Sequence, residues 1–108
     1  MAKKISHLSV DAILAHKTFS RDNTQVIKDD DGDYHLYLFG NEIIKHTHDN
    51  RLFITTANWN TRTTRDRLNA LPNVWISSVK KEPTINGNPW NGKWTEIIIA
   101  GPVLILSQ

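Results

Sequence analysis

The sequence predicts an α+β fold: a twisted antiparallel sheet of about six strands, one short helix packed on a face, and a short amino-terminal helix. Two observations carry this. From residue 23 onward, short runs with period-two alternation recur, separated by turn formers such as Gly40-Asn41 and Asn86-Gly87. Helical spacing of apolar residues occurs in only two places, near residues 9–17 and 63–71. A chain of 108 residues, 39% of them hydrophobic, is sized for one domain with one core. Within 1–108, residues 1–20 are expected to form a helix and linker, and residues 21–108 the sheet with its inserted helix.

The first helix is expected over Ser9–Lys17. Ser9 is placed to accept a backbone N–H at its start, Asp11 sits in the first turn, and Val10, Ile13, Leu14 and Lys17 follow i, i+3, i+4, i+7. Asn23–Lys28 reads as a strand ended by the acidic turn Asp29-Asp30-Asp31-Gly32-Asp33. Tyr34–Phe39 follows, with Tyr34, Leu36 and Leu38 on one face and His35, Tyr37 and Phe39 on the other. Gly40-Asn41 turns the chain into Glu42–His46, and Asp49-Asn50 turns it again into Arg51–Thr56, completing a meander.

The second helix is expected over Thr63–Leu71. Thr63 caps it, Asp66 replies three residues on, Leu68 and Leu71 face inward, and Pro72-Asn73 stops it. Arg62, Arg65 and Asn69 fall on the face away from the leucines. Val74–Lys80 resumes strand character until Lys81-Glu82-Pro83 breaks it. A turn-rich segment with a short strand leads to a last strand over 93–100. The almost wholly apolar Ile97–Leu106 reads as a buried central strand, or as an edge through which two copies pair into a homo-oligomer.

Composition narrows function. Cysteine is absent, which removes disulfides and thiolate metal sites. No apolar run approaches the roughly 20 residues needed to span a bilayer, so no membrane partner is expected. The basic amino end has no apolar signal core behind it, which points to an intracellular protein. Charge is uneven: residues 1–50 carry six Lys and Arg against eight acids, residues 51–108 seven against three. The basic half permits an anionic partner.

The acidic run fails the calcium-loop pattern, because Tyr34 stands where the loop needs glycine and Gly40 where it needs glutamate. His46 and His48, at i and i+2, share a strand side with His35 opposite, yet no spacing supports a zinc set; no metal or cofactor is expected. Gly-x-Ser-x-Gly, a phosphate-cradling glycine loop and a zincin helix are all missing, so an enzyme is not expected.

The stretch Asn58–Asn73 concentrates the residues suited to binding. Arg51, Arg62, Arg65 and Arg67 supply planar donors for phosphate or carboxylate. Asn58, Asn60 and the threonines offer hydrogen bonds, and Trp59 can stack on a base or fill a partner's pocket. Lys93 lies between Trp90 and Trp94 in a second polar loop. The alternative duty of these residues is folding: Trp59 under the helix, threonines as caps, Arg67 on a helix-end carbonyl.

Asn23-Thr24-Gln25-Val26, Gly40-Asn41-Glu42-Ile43, the Trp-x-Thr-x-Thr-Thr-x-x-Arg-Leu-Asn block from Trp59 to Asn69, and Asn86-Gly87-Asn88-Pro89-Trp90-Asn91-Gly92-Lys93-Trp94 form a pattern. It resembles that of a widespread family of small uncharacterised bacteriophage proteins. The likeness covers about residues 23–94, with Asn58 standing where that family usually has Gly. It implies a phage origin and a small domain, and brings no catalytic residues; together with the intracellular reading, action in the host cytoplasm is expected. The expected function is therefore a non-enzymatic phage accessory protein. It would bind nucleic acid or a nucleotide-like anion through Trp59, Arg62, Arg65 and Arg67. The alternative is an inhibitor that binds a host defence or transcription protein through the same side chains.

Overall fold

A computed structural model describes residues 3–98 of the chain. The amino-terminal helix α1 (Lys4–Leu14) leads into five strands: β1 (Phe19–Arg21), β2 (Thr24–Lys28), β3 (Tyr34–Leu38), β4 (Asn41–His46) and β5 (Leu52–Ile54). The short helix α2 (Arg62–Leu68) follows, then β6 (Ile76–Val79), β7 (Glu82–Ile85), β8 (Asn88–Pro89) and β9 (Thr95–Ile97). The expected α+β fold is present, with a six-stranded antiparallel sheet ordered β1-β2-β3-β4-β5-β9.

Membership of that sheet differs from the expectation in two respects: Phe19–Arg21, expected to be largely linker, adds an edge strand beside β2, and the strand after α2 is missing from it. Residues 76–79 do not join it but pair with β7, which pairs in turn with β8, in a separate three-stranded sheet. The two-residue turns explain this, because each folds its strand back on its immediate neighbour. Lys80-Lys81 joins β6 to β7 with both φ angles positive, at 52° and 70°, and Asn86-Gly87 does the same for β7 and β8 at 49° and 87°. These are mirror-image hairpin turns whose twist matches the strands. Asn-Gly is their usual occupant; Lys-Lys is not.

The core lies between the main sheet and the helices. Val10 and Ile13 of α1 meet Val26, Leu36, Ile44 and Ile54 of the sheet, and Leu68 and Leu71 close it from the α2 side. Full burial of each such side chain contributes roughly 1.5–3 kcal/mol. The alternation expected for β3 holds: Leu36 and Leu38 are buried, while Tyr37 on the opposite face is only partly covered. Between β3 and β4 the register shifts after Leu36, so that Ile43 and Ile44 are both buried. Such a bulge re-aims a side chain, and here Ile43 is the one re-aimed.

Both helices depart from their expected bounds. α1 begins at Lys4, not Ser9, and Ser9 lies inside it with its hydroxyl on the Ser6 carbonyl, 3.1 Å away. A serine that bonds back along its own helix cannot cap it. Ser6 and Ser9 are buried and small, which lets α1 approach α2 closely. In α2 the cap is Thr61 rather than Thr63: its side chain accepts from the Thr64 N–H at 3.2 Å. Asp66 does not reply within its own helix. It crosses to α1, accepting from the Lys3 N–H at 3.0 Å and from the Ser6 hydroxyl.

The apolar stretch Ile97–Leu106, expected to be a core strand or an oligomer edge, lies outside the described residues beyond Ile98. Its first residue, Ile97, pairs with Leu52 in β9. No helix among the described residues is long and apolar enough to cross a membrane.

Candidate functional site

Three turns gather beside the start of α2. The first is the β3–β4 tip, Phe39-Gly40, with φ of 51° and 79°. The second is Ala57-Asn58, with φ of 54° and 66°, closed by a bond from the Trp59 N–H to the Thr56 carbonyl at 2.8 Å. Asn58 thus adopts the left-handed conformation that glycine supplies most easily and asparagine next, so the departure from the resemblance pattern leaves this backbone possible. The third is the Lys80-Lys81 tip.

Asn60 ties the second and third turns to the helix. Its side-chain oxygen accepts from Arg65 Nη1 at 3.0 Å, and its amide donates to the Lys81 carbonyl at 3.2 Å. Arg65 Nη1 also reaches the Asn60 carbonyl at 3.1 Å. Trp59, 58% exposed, therefore stands next to a strapped arginine and a two-lysine tip. Arg62 is exposed at the first position of α2 and borders a cleft shared with Lys3, Asp22 and Asp66. Neither Arg62 nor Arg65 forms an ion pair among the described residues.

A cleft of about 260 Å³ opens beside Trp59. Leu38, Phe39 and Ile43 form its apolar side, and Thr61, Thr63 and Thr64 bring the helix start to it. Behind Trp59 the chain is pinned through Gly92, whose carbonyl accepts from Thr55 Oγ1 at 2.6 Å and from the Thr56 N–H at 2.9 Å. A Cβ on Gly92 would sit 2.6 Å from Thr56 Oγ1, so the loop and strand meet only with glycine there.

The other residues singled out in the sequence lie elsewhere. Arg67, grouped there with the surface arginines, is only 3% exposed. Its guanidinium donates to Thr24 Oγ1 at 3.0 Å, Ser6 Oγ at 2.8 Å and Asn23 Oδ1 at 3.1 Å, with Asp66 at 3.5 Å. Burial lowers its pKa, an effect that the neighbouring Asp66 carboxylate offsets only in part. It is an interior strut between α1, α2 and β2, on side-chain acceptors and not on the helix-end carbonyl considered above. Arg51 makes two hydrogen bonds to Glu96, at 3.1 and 2.9 Å, and lies over the Phe53 ring. Asn58 and Lys93 share a shallow cleft with Glu42, Thr55, Ala57 and Trp94, in which Lys93 is the one cationic lining residue among those described.

The histidines do not converge. His46 is buried, with Nδ1 2.8 Å from the Ile13 carbonyl, and its ring stacks on His16 at 4.2 Å. His48 is exposed beside Asp33, so the i, i+2 pair does not share a side as expected: the strand ends at His46. His35 sits between two carboxylates, Asp29 at 2.7 Å and Glu42. Partial burial works against its charge, but the two carboxylate bonds outweigh this and raise its pKa above 6.5. Among the described residues no group of three or more His, Asp or Glu is placed to hold a metal ion.

A sequence model described as Kyanoviridae Gp96 protein matches residues 2–97. The chain belongs to this family. It is a bacteriophage family of uncharacterised function, as the resemblance implied in part. No curated protein and no solved structure matches the chain.

Phe39, Lys80 and Lys81 are the residues of this Kyanoviridae Gp96 member that sequence reasoning missed. Phe39 read as one more outward strand residue, whereas it occupies the turn and is 68% exposed. The available signal was the paucity of turn formers: Gly40 alone supplies one at the first tip, and the Lys80-Lys81 connection has none. In the block from Trp59 to Asn69, Thr61 caps, Thr64 bonds Thr61, Arg67 braces, and Leu68 fills the core. Asn69 clasps the Ile76 backbone through both ends of its amide, at 2.9 and 2.6 Å.

Proposed function

We propose that this phage protein binds nucleic acid through the surface formed by Trp59, Arg62 and Arg65, extended by Lys80 and Lys81. The observation that carries the reading is the Asn60 strap, which ties both Arg65 and the lysine tip to the residue that follows Trp59. Aromatic faces beside unpaired cations are what a single strand engages, its bases stacking while its phosphates take the guanidinium and ammonium groups. Arginine suits the role because its planar donors match phosphate oxygens two at a time. The same proposal places its action in the host cytoplasm.

Binding without catalysis is part of this reading. Among the described residues no side-chain hydroxyl hydrogen-bonds to an imidazole, and His35 spends both ring nitrogens on carboxylates.

Affinity for labelled single-stranded DNA and RNA, measured at rising salt, tests the proposal. It should fall steeply with salt, and the Arg62→Gln/Arg65→Gln double variant should lose about 1.4 from the log–log slope, or ~0.7 per phosphate contact. Absence of binding to either strand at low ionic strength overturns it. A host protein captured by the wild type and lost with Trp59→Ala would favour the inhibitor reading instead, for which the exposed Phe39 and Trp59 provide apolar anchors.

A further inference from the structure

The cleft beside Trp59 deepens the nucleic-acid reading and rests on it. Its walls come from three separate parts of the chain: the β3–β4 tip, the bulged Ile43 and the loop leading into α2. Phe39 reaches it from a backbone conformation that a bulky side chain rarely adopts, φ 51°, and Trp59 follows the similarly unusual Ala57-Asn58 turn. Both aromatic side chains remain mostly in water, so the fold gains little from holding them there. Backbone strain combined with exposed aromatic surface is a feature of sites that await an occupant.

The chemistry of the lining selects that occupant. Thr61 and Thr64 hydroxyls are bonded to each other at 3.0 Å, and the Thr56 hydroxyl reaches the Gly92 carbonyl at 3.3 Å. Asn41 donates its amide to the Phe39 carbonyl at 3.4 Å, which leaves its side-chain oxygen open. Thr63 lines the cleft and its hydroxyl makes no hydrogen bond within the described residues. A mostly apolar slot with one hydroxyl and one amide oxygen at its edge suits a flat, partly polar ring. It does not suit a sugar, which needs many hydrogen bonds, nor a bare anion, since none of its lining side chains is cationic. Sites that enclose a drug-sized ligand begin at about 300 Å³, so the 260 Å³ here matches a single ring system.

We infer that this cleft receives one unstacked base of a single-stranded nucleic acid, between Phe39 and Trp59, with Thr63 and Asn41 meeting its polar edge. Arg62, flanked in sequence by the cleft residues Thr61 and Thr63, stands where the adjoining phosphates emerge. Stacking accounts for affinity that depends on bases and is tolerant of their sequence.

The test compares a single-stranded oligonucleotide with one of equal length whose sugar-phosphate backbone carries no bases. The wild type should bind the normal strand about tenfold more tightly. Thr63→Ile, which removes the free hydroxyl and narrows the cleft while leaving every cation in the chain, should bring the normal strand toward the abasic level and leave abasic binding unchanged. Phe39→Gly removes a wall and relieves the turn, so it should abolish the same preference while the melting temperature holds or rises. Equal affinity of the wild type for the two strands overturns the base cleft and leaves the phosphate-binding surface standing. No binding to either strand overturns both. A preference for bases that survives both substitutions overturns the cleft as its source.

Discussion

The same short block of sequence builds two regions of opposite character. Inward, Asp66 and Arg67 join Ser6, Asn23 and Thr24 in a network that locks α1 and α2 to β2, and buried side-chain polar atoms without a partner are absent among the described residues. Outward, Trp59, Arg62 and Thr63 project from the helix start and the loop before it with few bonds to the rest of the protein. The inner region stabilises the fold because every polar group in it is satisfied; a buried guanidinium requires that. The outer region holds side chains where folding returns little. Exposed residues that cost conformational energy to position are better indicators of binding than arginines counted along a helix.

Breaking the inner region should give the largest effect. Arg67→Ala removes three buried hydrogen bonds, to Thr24 Oγ1, Ser6 Oγ and Asn23 Oδ1, and the cation beside the Asp66 carboxylate, and should cost about 3 kcal/mol or more, read as a lower midpoint of urea unfolding. Affinity for a single strand, measured on the folded fraction, should change little. A strong loss of affinity with unchanged stability would instead return Arg67 to the binding surface.

Asn60→Ala sits between the two regions. It removes the side-chain bonds to Arg65 and Lys81, leaving Arg65 only the main-chain carbonyl of residue 60, and should cost about 1 kcal/mol of stability. Held less firmly, Arg65 and the lysine tip should bind a single strand several-fold more weakly, as fluorescence anisotropy would show. Unchanged affinity would mean that the strap serves folding alone.

The smallest effect belongs to the Asp29–His35–Glu42 cluster on the open face of the sheet. The His35 pKa is raised in the folded protein, so its contribution is complete below 6.5 and is lost as pH rises through the folded value. The hydrogen bond from His35 lowers the Asp29 pKa, so the contribution of Asp29 is present above 3.8 and fades as pH falls through its lower folded value. Unfolding midpoints of wild type and His35→Gln, taken at about pH 5.5 and about pH 8.5, should differ more at the lower pH. An equal difference at both would show that the imidazole charge does not contribute.

Much of the fold was legible because it followed local rules. The meander from Thr24 to Ile54 came from alternation and Gly or Asn turns, and the presence of α2 from its apolar spacing, although it ends at Leu68, before the expected Leu71 and Pro72. What the sequence could not show was long-range pairing of polar groups. Asp66 looked like a partner for its own helix cap, yet its partners are some sixty positions earlier at Lys3 and Ser6. Ser9 looked like a cap because small polar residues serve equally as caps and as close helix contacts. At the site, Trp59 and its neighbouring arginines were legible, while Phe39 and the Lys80-Lys81 tip were not. Positive φ at such residues is imposed by the hairpins that enclose them, and nothing in their own side chains announces it.

Photocrosslinking a single-stranded oligonucleotide to the protein, with the adducts located by mass spectrometry, tests the central claim most directly. Adducts at Trp59 and Phe39, suppressed by rising salt, are the predicted result. Adducts confined to Tyr37, Phe53 and Trp94, or none at low ionic strength, would contradict it.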